Sequence, residues 1–142
     1  AYVILMHMRG TPRTMQLLAS YENVVEEVSR ELDRSIERAV GAGIPRGRII
    51  IDPGIGFAKK AEHNLTLIKH LPVFKAKGFP LLVGLSRKSF LGALTGLETH
   101  ERLVPTIAAD AIAVFQGADI IRVHDVREAV ITAKVADAIR KA

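Results

Sequence analysis

With 142 residues, 49% of them hydrophobic, the chain can fill one core and is too short for two ordinary domains, and the absence of cysteine excludes disulfides and thiolate metal sites. The formal charge of +5, from 20 Lys and Arg against 15 Asp and Glu, raises nucleic acid as a partner. The bases are interspersed with acids, as Glu26 and Glu27 are with Arg30 and Arg34, and aromatics make up only 5% of the chain, so neither a basic stripe nor a stacking platform is evident.

No apolar run approaches the roughly 20 residues of a membrane helix. The opening AYVILMHMRG has neither a basic leader nor a cleavage site, so a soluble, unexported protein is expected, with no nucleic acid and no membrane as partners, and the lack of cysteine fits a cytoplasmic location. A start at Ala1 directly before a strand looks like a cut through a larger protein.

A first strand is expected at residues 2–6, ending in His7. After the turn Gly10-Thr11-Pro12, a helix follows whose Val24, Val25, Val28, Leu32, Ile36, Ala39 and Val40 keep 3/4 spacing, with Gly41 and Gly43 ending it. Strand two, 48–52, is a β-branched run that reads as buried on both faces and delivers Asp52 into the Pro53-Gly54-Ile55-Gly56-Phe57 turn. The pattern then predicts one helix over 62–77, stopped by Gly78 and Pro80. Strand three, 81–85, leads at Ser86 into a short helix. The next helix, 101–116, is expected to bury Leu103, Ile107, Ala111, Val114 and Phe115. Strand four, 119–123, passes into a last helix capped by Asp125 with Glu128 at capping-box spacing, its apolar face Val126, Ala129, Val130, Ala133 and Ala136. Four βα units imply an α/β fold of parallel strands, either an open doubly wound sheet or part of a barrel, and periodicity does not choose between them.

The strand tips carry the chemistry. Asp52 either caps its own turn or offers two oxygens to paired N–H groups on a guanidine-like heterocycle, with Gly54 and Gly56 allowing close approach and Phe57 covering a ring face. Ser86-Arg87-Lys88-Ser89 after a buried strand reads as an anion or carbonyl site at a helix start. Arg122 and His124, two apart on a strand, are expected on one face and suit a pyrophosphate. His7 is more simply structural. The five histidines show no metal-ligand spacing, and neither Gly-x-Ser-x-Gly nor a phosphate-binding P-loop occurs. The residues thus describe a site for a planar nitrogen heterocycle plus an anion, without a covalent catalyst.

Leu5-Met6-His7-Met8-Arg9-Gly10-Thr11-Pro12 with Thr14-Met15-Gln16, then Asp52-Pro53-Gly54-Ile55-Gly56-Phe57, Gly84-Leu85-Ser86-Arg87-Lys88-Ser89 and Ile121-Arg122-Val123-His124-Asp125 together resemble the dihydropteroate synthase family. That resemblance implies the C-terminal half of a (β/α)8 TIM barrel, residues 1–142 being one partial domain without the N-terminal half. It implies condensation of 6-hydroxymethyl-7,8-dihydropterin pyrophosphate with p-aminobenzoate, giving 7,8-dihydropteroate and pyrophosphate in folate synthesis. In the roles it implies, Met6, Asp52, Phe57, Gly84 and Lys88 bind the pterin, Ser89 lies near p-aminobenzoate, and Arg122 and His124 hold pyrophosphate, with Lys88, Arg122 and His124 catalytic. It further implies Mg2+ with its protein ligand outside this chain, a homodimer, and weak or no activity of these residues alone. A pterin-dependent methyltransferase of the same barrel class is the alternative enzyme, but it has no need of the Ser-Arg-Lys and Arg-Val-His anion groups. A non-catalytic binding fragment is the alternative outside catalysis.

Overall fold

The computed structural model describes every residue from Ala1 to Ala142. Its four strands are β1 (Val3–Met6), β2 (Ile49–Asp52), β3 (Leu82–Gly84) and β4 (Ile120–Arg122). Its helices are α1 (Val24–Gly41), α2 (Ala61–Lys69), α3 (Leu71–Lys75), α4 (Ser89–Thr95), α5 (Leu103–Phe115) and α6 (Val126–Lys141), with single 3-10 turns at Met15–Leu18, Arg46–Arg48 and Thr99–Glu101.

β1 pairs in parallel with β2, placing Met6 opposite Asp52, and β3 with β4, placing Gly84 opposite Arg122. A parallel bridge between Ile51 and Leu81 joins the two pairs, so the strands run in the order β1-β2-β3-β4. Every crossover therefore steps the same way, and right-handed connections that never reverse direction lay all helices on one face. A doubly wound sheet would reverse its strand order. The fold is α/β, a run of parallel strands with the geometry of part of a (β/α)8 barrel.

Strand alternation divides the sheet into two faces. Ile49, Ile51, Leu81, Val83 and Leu85 point at the helices and join Val28, Leu32 and Ile36 of α1 and Leu67, Leu71 and Phe74 of α2 and α3 in the core. Each such side chain contributes about 1.5–3 kcal/mol by leaving water. The other face carries Ile4, 47% exposed, and Ile120, 37% exposed, and at its C-terminal rim lie Met6, Asp52, Gly84 and Arg122. The rim is where a barrel of this kind presents its chemistry.

α1 follows its sequence pattern at five of seven positions; Val25 is only half-buried and Val40 is exposed. Asn23 caps it, its side-chain oxygen accepting from the Glu26 amide at 3.1 Å, and Val24, Val28, Leu32, Ile36 and Ala39 are buried. Gly41 is its last residue rather than its stop.

Elsewhere the structure corrects the expectations. The helix expected over 62–77 is two, broken at His70, because Pro72 has no N–H to give the Ile68 carbonyl and its ring restricts Leu71. The short helix after strand three begins at Ser89, not Ser86. α5 turns Thr106, Asp110, Ala113 and Val114 inward, while Leu103, Ile107 and Ala111 are half-buried and Phe115 is 53% exposed. Of the face expected on α6 only Ala129 and Ala136 are buried, with Val126 and Val130 exposed. Asp125 starts α6 without a side-chain capping bond.

Candidate active site

Asp52 ends β2 at 1% exposure, and its two oxygens have different partners. Oδ1 accepts the Gly54 amide at 2.8 Å, so the capping reading holds for that atom. Oδ2 faces Arg122, whose Nη2 donates to it at 3.4 Å. Burial pushes the carboxyl pKa up, while the Gly54 N–H, Arg122, Lys88 and Lys59 oppose that rise. The turn does not leave room at Gly54 for a ligand. Gly54, at φ +71°, lies against the His7 carbonyl, and an added Cβ would strike it. Its glycine serves the contact between β1 and the loop after β2.

Lys88 immediately precedes α4. Its ammonium donates to the Ile55 carbonyl and sits 4.7 Å from the centre of the Phe57 ring, a cation–π arrangement. Burial lowers its pKa to about 8, against the pull of Asp52 in the other direction. Arg87 does not join it. Arg87 turns to Asp125 in a forked pair, Nη2 to Oδ1 at 2.7 Å and Nε to Oδ2 at 3.2 Å. This removes Arg87 from the expected anion site and takes the carboxylate expected to cap α6.

β4 ends at Arg122, so His124 lies beyond the strand, where side-chain alternation no longer fixes its direction. The two still converge. The Arg122 guanidinium lies across Gly84, where an added Cβ would come within 2.8 Å of Nη2, so a side chain at 84 would push the guanidinium out of this position. His124 is held by Ser86, Nδ1 to Oγ at 2.8 Å. Gly84, Ser86, Lys88, Arg122, Val123 and His124 line one cavity of about 150 Å³, with Asp52 reached through Arg122 and Phe57 through Lys88.

Two expected residues stand apart. Met6 lies beside Asp52 in the strand register but lines a different cavity, with His7, Glu31 and Arg34. Ser89 is exposed in the first turn of α4 and makes no side-chain hydrogen bond there. His7 is structural. Its Nε2 meets Glu31 Oε2 at 2.7 Å, and burial, with Lys59 next to it, lowers its pKa to about 4. Hydrogen bonds from Arg9 and His7 hold Glu31 at about 2 despite burial.

Lys59 was missed from sequence. It is 4% exposed, and its ammonium bridges His7 Nδ1 at 2.9 Å and the Phe57 carbonyl at 2.7 Å. Burial brings its pKa down to about 7. Nothing local distinguishes it from Lys60 beside it, which is exposed. Asn64, buried on α2, accepts the Gly56 amide at 2.8 Å and fixes the loop from behind. A polar residue among the buried Leu67 and Ile68 was the available signal.

Known proteins resemble this chain along almost all of its length. A family model described as "Pterin binding enzyme" matches residues 1–124. The dihydropteroate synthase of Escherichia coli is 46% identical over 136 residues, covering 96% of this chain and 48% of that protein. The crystal structure of Yersinia pestis dihydropteroate synthase in a sulfonamide drug complex superimposes with a TM-score of 0.95 at 41% identity, covering 99% of this chain and 51% of that one. That of Coxiella burnetii in complex with pteroic acid gives a TM-score of 0.90 at 39% identity, covering 98% and 51%. The chain spans about half the length of the curated relatives it matches. With the family model covering most of its length and the strand-tip site in place, this chain belongs to the pterin-binding enzyme family.

Proposed function

We propose that this chain is the C-terminal half of a dihydropteroate synthase barrel and carries the pterin-gripping and pyrophosphate-holding side of its active site. One observation carries the reading: Asp52, Lys88, Arg122 and His124 come from three different strand ends to one rim, with Asp52 nearly inaccessible to water and three cations acting on it. A buried carboxylate beside cations matches a substrate with a guanidine-like ring at one end and a diphosphate at the other.

In this reading Asp52 accepts N–H groups of the pterin ring, Lys88 and Phe57 hold the ring from the side, and Gly84, with Arg122 across it, lines the pocket. Met6 contributes from the rim of β1 and Ser89 from the p-aminobenzoate side. Arg122 and His124 grip the diphosphate. The C–O bond between the pterin methylene and the diphosphate breaks with both electrons leaving on oxygen. The aryl amine then bonds to the methylene carbon and loses a proton to solvent. The cations favour the step because negative charge accumulates where they already point. No nucleophilic side chain is required.

The resemblance implies Mg2+ with its protein ligand outside this chain; no three His, Asp or Glu side chains converge among the residues present, and no step is routed through the metal. A homodimer is part of the proposal. It is supported by an apolar groove of about 640 Å³ between α5 and α6, lined by Ile107, Ile112, Phe115, Ile131, Val135 and Ile139 among others. No helix is long and apolar enough to cross a membrane; the cytoplasmic location and small-molecule substrates are part of the proposal.

Arg122→Ala tests the division of roles. Single-turnover rates are expected to fall about 100-fold, the scale of one lost charge-stabilising donor, while pterin affinity measured by calorimetry changes little. An equal loss in both would count against Arg122 as the group that stabilises the leaving diphosphate.

A further inference from the structure

We infer that Ser86 is a positioning residue that fixes the tautomer of His124, so that the imidazole presents Nε2–H as a donor to an anion in the Arg122 cavity. The inference rests on the reading of that cavity as a diphosphate site, but its geometry does not.

Ser86 is 8% exposed, and its hydroxyl has two hydrogen-bonding neighbours, both on His124. The backbone amide of His124 donates to Oγ at 3.3 Å. Nδ1 of the same residue lies 2.8 Å from Oγ. An amide N–H can only donate, so one lone pair of Oγ is used as an acceptor. The Ser86 hydrogen then has one protein acceptor in reach, the Nδ1 lone pair, and buried hydroxyl donors are satisfied. In the neutral ring a nitrogen that accepts at Nδ1 carries its proton at Nε2.

That placement has a chemical consequence. The Nδ1–H tautomer would turn a lone pair, not a donor, outward from the ring. It would repel a diphosphate oxygen where the Nε2–H tautomer binds it. Nε2 has no hydrogen bond within the protein, unlike Nδ1, and His124 shares its cavity with Arg122 and Lys88. The neighbouring Arg87–Asp125 pair braces the segments on either side, since Arg87 follows Ser86 and Asp125 follows His124. Ser86 thus connects β3 to the residue after β4 and sets which nitrogen is the donor. In sequence it is the least conspicuous member of Ser86-Arg87-Lys88.

Nitrogen-15 NMR of the full chain labelled at histidine tests this, with the His124 signals assigned against His124→Gln. In the neutral form of the ring the wild type is expected to show a protonated Nε2 and an unprotonated Nδ1. Ser86→Ala should show both tautomers in exchange and bind inorganic pyrophosphate about tenfold more weakly, the loss expected for one charge-assisted hydrogen bond. Ser86→Thr, which keeps the hydroxyl, should restore both readouts. A wild-type Nδ1–H tautomer, or an Ser86→Ala spectrum unchanged from wild type, overturns the assignment. A correct tautomer whose signals do not respond to pyrophosphate upholds the positioning by Ser86 and overturns the diphosphate reading instead.

Discussion

Asp110 shows how far a single residue can depart from what its neighbours in sequence announce. It sits mid-helix in α5, fully buried, and neither carboxylate oxygen has a hydrogen-bond partner. Burial alone raises its pKa from 3.8 to about 6. A carboxyl raised in the folded state binds its proton more tightly there than in the unfolded chain. The native state is therefore favoured in acid, and that advantage is lost as pH rises from about 4 through about 6. The cost of ionising it at pH 7 is on the order of 3 kcal/mol. Asp110→Asn keeps the shape and removes the ionisation, so it should raise the melting temperature at pH 7 and leave it nearly unchanged at pH 4. Thermal denaturation across that range checks the sign: a gain independent of pH would contradict it. Asp52 is the useful contrast, a carboxylate equally sheltered but with a backbone N–H and three cations to offset its burial. Sequence flagged Asp52 because it ends an apolar strand beside Pro and Gly. Asp110 instead interrupts an apolar helix between Ile107-Ala108-Ala109 and Ala111-Ile112-Ala113, and the face it occupies was not legible.

At the scale of elements, legibility tracked amphipathicity. α1 has one apolar stripe against charged residues, and its buried positions followed from spacing alone. Its cap is a local device as well, with Asn23 accepting from Glu26 and Glu27 returning to the Asn23 amide at 2.8 Å. Asn23→Ala should lower stability by about 1 kcal/mol, read as a shift in urea midpoint without a change in slope. An unaltered midpoint would mean the cap adds nothing. α5 is apolar nearly all round, so spacing permitted several faces, and tertiary packing chose the one with Thr106 and Asp110. Thr106 earns its inward place by accepting the Arg87 amide at 3.0 Å, a bond between segments that no helical period encodes. Pro72 was in plain view, but a continuous apolar pattern outweighed it, although a proline removes a helical donor whatever its neighbours are.

On the whole molecule the sheet leaves apolar residues such as Ile4 and Ile120 on the face opposite its helices, and α5 and α6 expose Ile112, Phe115, Ile131, Val135 and Ile139. Apolar surface concentrated between two helices is what an interface between copies requires. If a second copy covers it, Ile112→Glu with Val135→Glu should convert a dimer to a monomer in sedimentation equilibrium while leaving pyrophosphate binding at Arg122 intact. A dimer that survives both changes would place the interface elsewhere. By itself the sequence determined the βα alternation and the residues at the strand ends, because strand period, turn chemistry and charge type are local properties. Only the tertiary structure decided the strand order, the inward face of α5, the diversion of Arg87 to Asp125, and the roles of Lys59 and Ser86. Each of those depends on a partner dozens of residues away, and a side chain's partner in space is set by packing, which no local pattern records.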